Sequence, residues 1–473
     1  MRRQIGRFCI VPLLLLFAAL AGCGPTTEAD RLAAGKTRAY QAGTPEFDIE
    51  SVPVWTDTAT AVDIYIRIPN SSLTFTTGGK GFEAVAEIIA QLLDPHTREQ
   101  VVERYKRVTL SVKTFGETVG DDASELVVQL PASAGDYQVA VEVEDLNSRK
   151  QTRREESLTV IGRTPPVPAL GKMVIEERRE GGEFRPLLRL HVPADCDSLR
   201  LALPLYHMPV GESADLLFSL LRLRCDTSAA QAPYGFGPIA GTYKWSYVDF
   251  ARPETLRSQL IPILGTGLRQ VLREDLERLP EGMYECTAEV RRIDERKQRT
   301  PLIARRYLMI FPPHFPRPVE IDQLIEPLRY IAKEQEMDSL RVEGTPEERR
   351  VRMEKFWLEK MPDLTSARAT VNRYYQRVLE ANRLFTTYKE GWKTDRGMIY
   401  IVLGAPLAIQ RQFENERWEY DLSRTVYENF YTFRRIIIEG EEAEVRGYVL
   451  VRSSAYEQFW FDMLDRWRRG NIF

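Results

Sequence analysis

The 473 residues, 43% hydrophobic and 28% charged, exceed what one hydrophobic core organises and exclude a chain disordered by composition. The formal net charge of -3 falls to -6 once residues 1–22, with Arg2, Arg3 and Arg7, are set aside, which excludes a nucleic-acid binder by charge. His96, His191, His207 and His314 are scattered without metal-ligand spacing, no CxxC pair is present, and no metal or cofactor is expected.

The chain opens with a basic stretch, "MRRQIGRF", then "CIVPLLLLFAAL", an apolar run too short to span a bilayer. "LAGC" follows. Leu20, Ala21 and Gly22 ahead of Cys23 resemble a bacterial lipoprotein signal, in which small residues admit the peptidase and the Cys23 thiol takes the lipid; the competing reading is an ordinary secretory signal. Gly24 in place of an aspartate implies the outer membrane, and several acyl chains would anchor where one would not. The expected organisation is a signal peptide at 1–22 and a flexible tether at 23–45, small-residue-rich and poor in apolar groups. With Cys9 removed and Cys23 lipidated, Cys196, Cys225 and Cys286 remain, either with one disulfide among them or as three buried thiols.

Proline-rich "RTPPVPAL" and "FPPHFPRP" divide the rest. They place a first β-sandwich at 46–162, a linker at 163–172, a second sandwich at 173–311, a linker at 312–319 and a C-terminal domain at 320–473. In "AVDIYIRIP", Val62, Ile64, Ile66 and Ile68 alternate with polar or amphipathic residues, the period of a half-buried strand, and "GDYQVAVEVED" repeats the pattern. "FEAVAEIIAQLLD" fits helix or strand, and its neighbours favour strand. Residues 129–151 and 278–298 share Leu-Pro, Gly, Tyr, an alternating run and a basic turn ending in Gln. Gly-x-Tyr at a strand entrance resembles the tyrosine corner of immunoglobulin-like sandwiches, so the match points to a duplicated sandwich. Two unrelated amphipathic strands are the alternative. In the second copy, "GESADLLFSLLRL" and "TLRSQLIPILGTGLRQVLREDL" fit helical inserts.

Beyond Pro318 the signals turn helical. Thr345, Pro346 and Glu348 form a capping box ahead of a stripe of Met353, Phe356 and Trp357. Val371, Tyr374, Val378, Ala381 and Phe385 share one face of a second helix, and Tyr456, Phe459, Trp460, Met463, Leu464 and Trp467 mark a last one as core. Between them "GMIYIVLG", "RWEYDL", "YENFYTFRRIIIE" and "RGYVLVRS" are expected as strands.

The segment "GWKTDRGMIYIVLGAP" at 391–406 has a structural and a functional reading. Structurally, Gly391 ends one element, Gly397 permits close approach, Thr394 and Asp395 cap a turn, Trp392 covers it, and Arg396 pairs with Asp395 or Glu419. Functionally, Thr394, Asp395 and Arg396, joined by Glu419, would form a polar site; yet no histidine stands near, and Ser453-Ser454 lacks a nucleophile elbow. These residues resemble the bacterial GWxTD domain family: Gly391, Trp392, Thr394 and Asp395 match its name, Arg396-Gly397 extends the match, and Phe356-Trp357, "RVLEANRLF", Gly404-x-Pro406 and "RWEY" with Trp418 and Tyr420 add to it. The resemblance implies an exported protein, often with β-sandwich regions ahead of the domain, and carries over no catalytic residues. "VLGAPLAIQRQFENERWEYDL" also resembles small lipoproteins accessory to outer-membrane barrel assembly.

The expected fold is therefore multidomain, mainly β plus α+β: two immunoglobulin-like β-sandwiches followed by a C-terminal helical and antiparallel-sheet GWxTD domain. The expected function is that of an outer-membrane lipoprotein, periplasmic or surface-facing, acting as a non-catalytic interaction or assembly module. Its partners would be the membrane, through the lipid, and other envelope proteins. The alternative is a periplasmic enzyme with its site at Thr394, Asp395 and Arg396.

Overall fold

Residues 36–37 and 44–472 are described by a computed structural model, apart from 57–58, 80, 121, 165–166, 190, 193–195, 211–212, 236–247, 292–301, 412–414, 421–429 and 437–446. The expected signal peptide, Cys23 and most of the expected tether lie outside the described residues.

The first sandwich is built from β1 (Asp48–Trp55), β2 (Thr60–Pro69), β3 (Gly81–Leu93), β4 (Gln100–Val112), β5 (Ala123–Pro131), β6 (Gly135–Asp145) and β7 (Lys150–Val160). One sheet runs β1-β2-β5 and the other β4-β3-β6-β7, all antiparallel. This is an immunoglobulin-like division of seven strands. The alternation in β2 decides which face is buried: Val62, Ile64, Ile66 and Ile68 all lose their exposure entirely. They meet Ile88, Val139 and Val141 from the opposite sheet.

The second sandwich repeats the plan with β8 (Val174–Arg179), β9 (Cys196–Tyr206), β10 (Ser213–Cys225), β11 (Val248–Leu264), β12 (Gln270–Leu276), β13 (Gly282–Val290) and β14 (Leu302–Ile310). Its sheets run β8-β9-β12 and β11-β10-β13-β14. The helical inserts expected here are strands. In β10, Ala214, Leu216, Phe218 and Leu220 are buried at a period of two, and that alternation outweighs the helix-forming leucines. "TLRSQLIPILGTGLRQVLREDL" is cut by Gly265 and Gly267 into the end of β11 and all of β12.

The internal match falls on the sixth strand of each sandwich. Tyr137 begins β6 and Tyr284 begins β13, each two residues after a glycine with φ near +152°. The Tyr137 hydroxyl donates to the Ser133 carbonyl at 3.2 Å and the Tyr284 hydroxyl to the Pro280 carbonyl at 2.7 Å. Both bonds reach back four residues, as a tyrosine corner does. Tyr284→Phe is expected to cost about 1–3 kcal/mol by stranding its carbonyl, and Tyr137→Phe less, because its bond is longer and its ring less buried. Urea unfolding of the two variants checks the order.

The sandwiches meet across a charged seam. Glu50, 1% exposed, takes Lys172 at 2.8 Å and Arg306 at 2.8 Å, both from the second sandwich or its lead-in. Asp48 pairs with Arg189. Burying such carboxylates is tolerable only with partners in place. Leu170, within the proline-rich connector, pairs with β9. The three cysteines are free. Burial pushes the Cys225 and Cys286 thiols up to about 12, which makes them poor nucleophiles.

The C-terminal domain packs helices α1 (Glu334–Arg341), α2 (Pro346–Leu358), α3 (Leu364–Phe385), α4 (Asp395–Leu403) and α5 (Glu457–Arg468) against a sheet. The sheet runs β15 (Ala408–Arg411), β16 (Asn415–Glu419), β17 (Phe430–Ile436) and β18 (Gly447–Leu450), with Lys36–Thr37 added along β15. The Thr345 capping box on α2 forms in both directions, to and from Glu348. "MIYIVLG" is a helix and not the expected strand. Met398, Ile399, Ile401 and Val402 have no exposure and Tyr400 has 5%. A run buried on all sides carries no period, so its β-branched residues mislead. Its end signals decide instead: Thr394 caps the start and Gly404, at φ 90°, ends it.

Candidate functional site

The signature residues form the two ends of α4. After α3 the chain turns through a short 3-10 segment, Gly391–Lys393, that lies on α3 itself. A Cβ on Gly391 would stand 2.6 Å from the Ala381 carbonyl carbon and nearer still to its oxygen. One on Gly397 would stand 2.8 Å from the Gly391 carbonyl carbon, again nearer to the oxygen. Each glycine therefore marks backbone against backbone, where no side chain fits.

The Thr394 hydroxyl, the Trp392 main chain and the Asp395 carboxylate all have partners. The Thr394 hydroxyl donates to the Gly391 carbonyl at 2.7 Å and accepts from the Gly397 amide at 3.0 Å, capping α4. The Trp392 amide donates to Asn382 Oδ1 at 3.0 Å, and the Tyr330 hydroxyl donates to the Trp392 carbonyl at 2.8 Å. Asp395, first residue of α4 and 9% exposed, accepts from the Leu450 amide at 2.8 Å and from Arg452 Nη2 at 2.6 Å. A carboxylate at that position also suits the positive end of the helix.

Arg396 does not pair with Asp395 or Glu419. Its guanidinium lies over the Tyr448 ring at 4.3 Å and the Phe385 ring at 5.1 Å, and reaches Glu416 at 3.7 Å. Glu416, 1% exposed, also takes Arg411 at 3.0 Å and the Trp418 indole N–H at 2.6 Å.

At the far end of α4 the carbonyls are closed by Tyr420 of the signature and by Arg377 and Trp467. The Tyr420 hydroxyl donates to the Gly404 carbonyl at 2.9 Å. Arg377 Nη1 donates to Ile401 and Val402 at 3.1 and 3.3 Å, and the Trp467 indole N–H to Val402 at 2.9 Å. Pro406 is buried in the turn that leads to β15. Gly391, Trp392, Thr394, Asp395, Arg396 and Gly397 thus hold one end, while Gly404, Pro406 and Tyr420 hold the other. Trp418 packs on Phe385 beside them.

Arg377 and Asn382, both within the "RVLEANRLF" match, complete this arrangement together with Arg452 and Tyr330, which were not singled out from the sequence. Arg452 lies 57 residues from Asp395, so no local pattern links them. Arg377 carries a readable signal, since it is a cation on the apolar face of α3.

Beside the turn is a cavity of about 100 Å³ whose walls include Thr394, Asp395, Arg396, Lys389 and Tyr448, with Asp226 and Ser228 from the second sandwich. Burial holds the Lys389 ammonium below the ordinary lysine range, against the raising effect of Asp395 and Asp226. Arg396 and Tyr448 also border a wider cleft of about 910 Å³ shared by all three domains. Among the described residues no group of three His, Cys, Asp or Glu is placed to hold a metal.

Residues 297–469 match the model of the GWxTD domain, so the C-terminal part of the chain is a GWxTD domain. No curated protein matches the sequence. Among solved structures, red sea bream transglutaminase aligns at 8% identity and a TM-score of 0.17, over 56% of this chain and 31% of that one. The native conformation of E. coli alpha-2-macroglobulin aligns at 10% and 0.19, over 57% and 16%. The same E. coli protein activated by porcine elastase aligns at 10% and 0.19, over 77% and 36%. The chain thus covers between 16% and 36% of the length of these proteins.

Proposed function

We propose that this GWxTD-domain chain is an outer-membrane-anchored lipoprotein acting as a non-catalytic interaction or envelope-assembly module. One observation carries the reading. Thr394, Asp395 and Arg396 spend their polar groups on holding α4 between α3 and the sheet, while the outer side of the same turn receives the main chain of another domain. Signature residues that build the turn and a neighbouring segment already seated on it support the reading of a module that presents a surface.

The anchor is the Cys23 lipid. Among the described residues no helix is long and apolar enough to cross a membrane. Cys23→Ser is expected to move the protein from the membrane fraction to the soluble one, and a variant that stays with membranes after a high-salt wash overturns the anchor. Crosslinking in intact cells followed by mass spectrometry tests the module itself. The expected result is a reproducible envelope-protein partner crosslinked through the GWxTD domain; no partner across several crosslinker lengths overturns the proposal.

A further inference from the structure

The strands β10 and β11 pair antiparallel as far as Cys225 opposite Val248. A hairpin needs only a few residues to close there, yet residues 226–247 intervene. Their described part, 226–235, leaves the sandwich and lies along the GWxTD domain.

Its contacts there are made mainly by the main chain. The Ala230 amide donates to the Lys393 carbonyl at 2.9 Å, inside the signature turn. Lys389 Nζ donates to the Ser228 carbonyl at 2.8 Å, Arg452 Nη2 to the Gln231 carbonyl at 3.2 Å, and the Ser453 amide to the Pro233 carbonyl at 3.2 Å. Ala229, Ala230 and Tyr234 pack against the domain core, with the Tyr234 ring 5.3 Å from Phe461. Thr227, Ser228 and Gln231 are exposed. Four main-chain groups are read, along with two small side chains and the Tyr234 ring, and Pro233 is buried beside them.

We propose that this face of the GWxTD domain is a peptide-binding groove, filled in cis by residues 226–235. In trans it takes an extended segment of another envelope protein with two consecutive small residues followed four positions later by an aromatic. The proposal rests on the module reading above and names where its partner binds. Main-chain recognition tolerates varied sequences, and the β10–β11 ladder is complete without the loop, so its displacement leaves the sandwich intact. Arg452 links the groove to Asp395, which ties the signature to the bound segment.

The test replaces residues 226–235 by Gly-Ser of equal length and measures binding of a labelled DTSAAQAPYG peptide by fluorescence anisotropy. The replaced variant is expected to bind. The intact chain should bind at least tenfold more weakly, because a tethered loop competes at an effective concentration on the order of mM. A peptide with Ala230→Pro lacks the N–H that meets Lys393 and should lose binding. A folded variant that ignores the peptide, or one that binds the proline peptide equally well, overturns the groove.

Should the replacement not fold, Ala230→Pro in the intact chain serves instead, because it removes the resident loop's N–H donor to Lys393 and leaves the groove residues unchanged. Loosening the resident loop should strengthen peptide binding severalfold, and unchanged binding overturns the proposal. Failure of the groove is read from the peptide alone, whereas failure of the module reading is read from the absence of a crosslinked partner in cells.

Discussion

Gly391→Ala is expected to destabilise the C-terminal domain by about 3 kcal/mol or more, at or beyond the upper end of overpacking costs. The added methyl group meets the Ala381 carbonyl, which is backbone inside α3 and has no rotamer through which to yield. Gly397→Ala should behave alike, because its methyl group meets the Gly391 carbonyl. Gly79→Ala is the control: nothing lies within 4 Å of its Cβ position, and the expected change is within about 0.5 kcal/mol. Five of the seven tryptophans lie beyond residue 320, so tryptophan fluorescence during urea unfolding reports mainly this domain. Gly391→Ala and Gly397→Ala proteins as stable as the control would mean that the turn does not rest on α3.

Asp395→Ala is the second large effect, expected at about 3–5 kcal/mol. It leaves the Arg452 guanidinium, 14% exposed, without its carboxylate and the Leu450 amide without its acceptor. Asp395→Asn keeps an acceptor for Leu450 but offers Arg452 no charge, so it should cost less than the alanine. Combining Asp395→Ala with Arg452→Met removes both charges and should recover part of the loss, a coupling that a double-mutant cycle measures. Stability and complementation of a deletion strain should fall together across these variants. An Asp395→Asn protein with wild-type stability and no activity in cells would restore a chemical role for Asp395.

The sandwiches were legible because their strands have one wet and one dry face. Val62, Ile64, Ile66 and Ile68 announce that alternation, and Tyr137 and Tyr284 mark the same corner twice because a corner is a local contact over four residues. In β10 the leucines obscured it, since Leu217 and Leu221 stand between the buried positions without being polar. α4 was not legible as a helix for a related reason: a segment enclosed on every side has no face to reveal. Thr394 and Gly404 held the missing information, but as end signals they count only once the run between them is taken as one element.

By itself, the sequence determined what depends on near neighbours: alternating strands, the Thr345 capping box, the tyrosine corners, and a turn built around Gly391 and Gly397. Tertiary structure alone decided which distant groups satisfy that turn. Arg452 comes to Asp395 from beyond β18, Tyr330 to Trp392 from ahead of α1, and residues 226–235 to Lys393 from another domain. The reason is physical. A periodic pattern records whether a residue is buried, whereas the partner of a buried charge or amide depends on which surfaces meet after the chain has folded, and that choice leaves no period in the sequence.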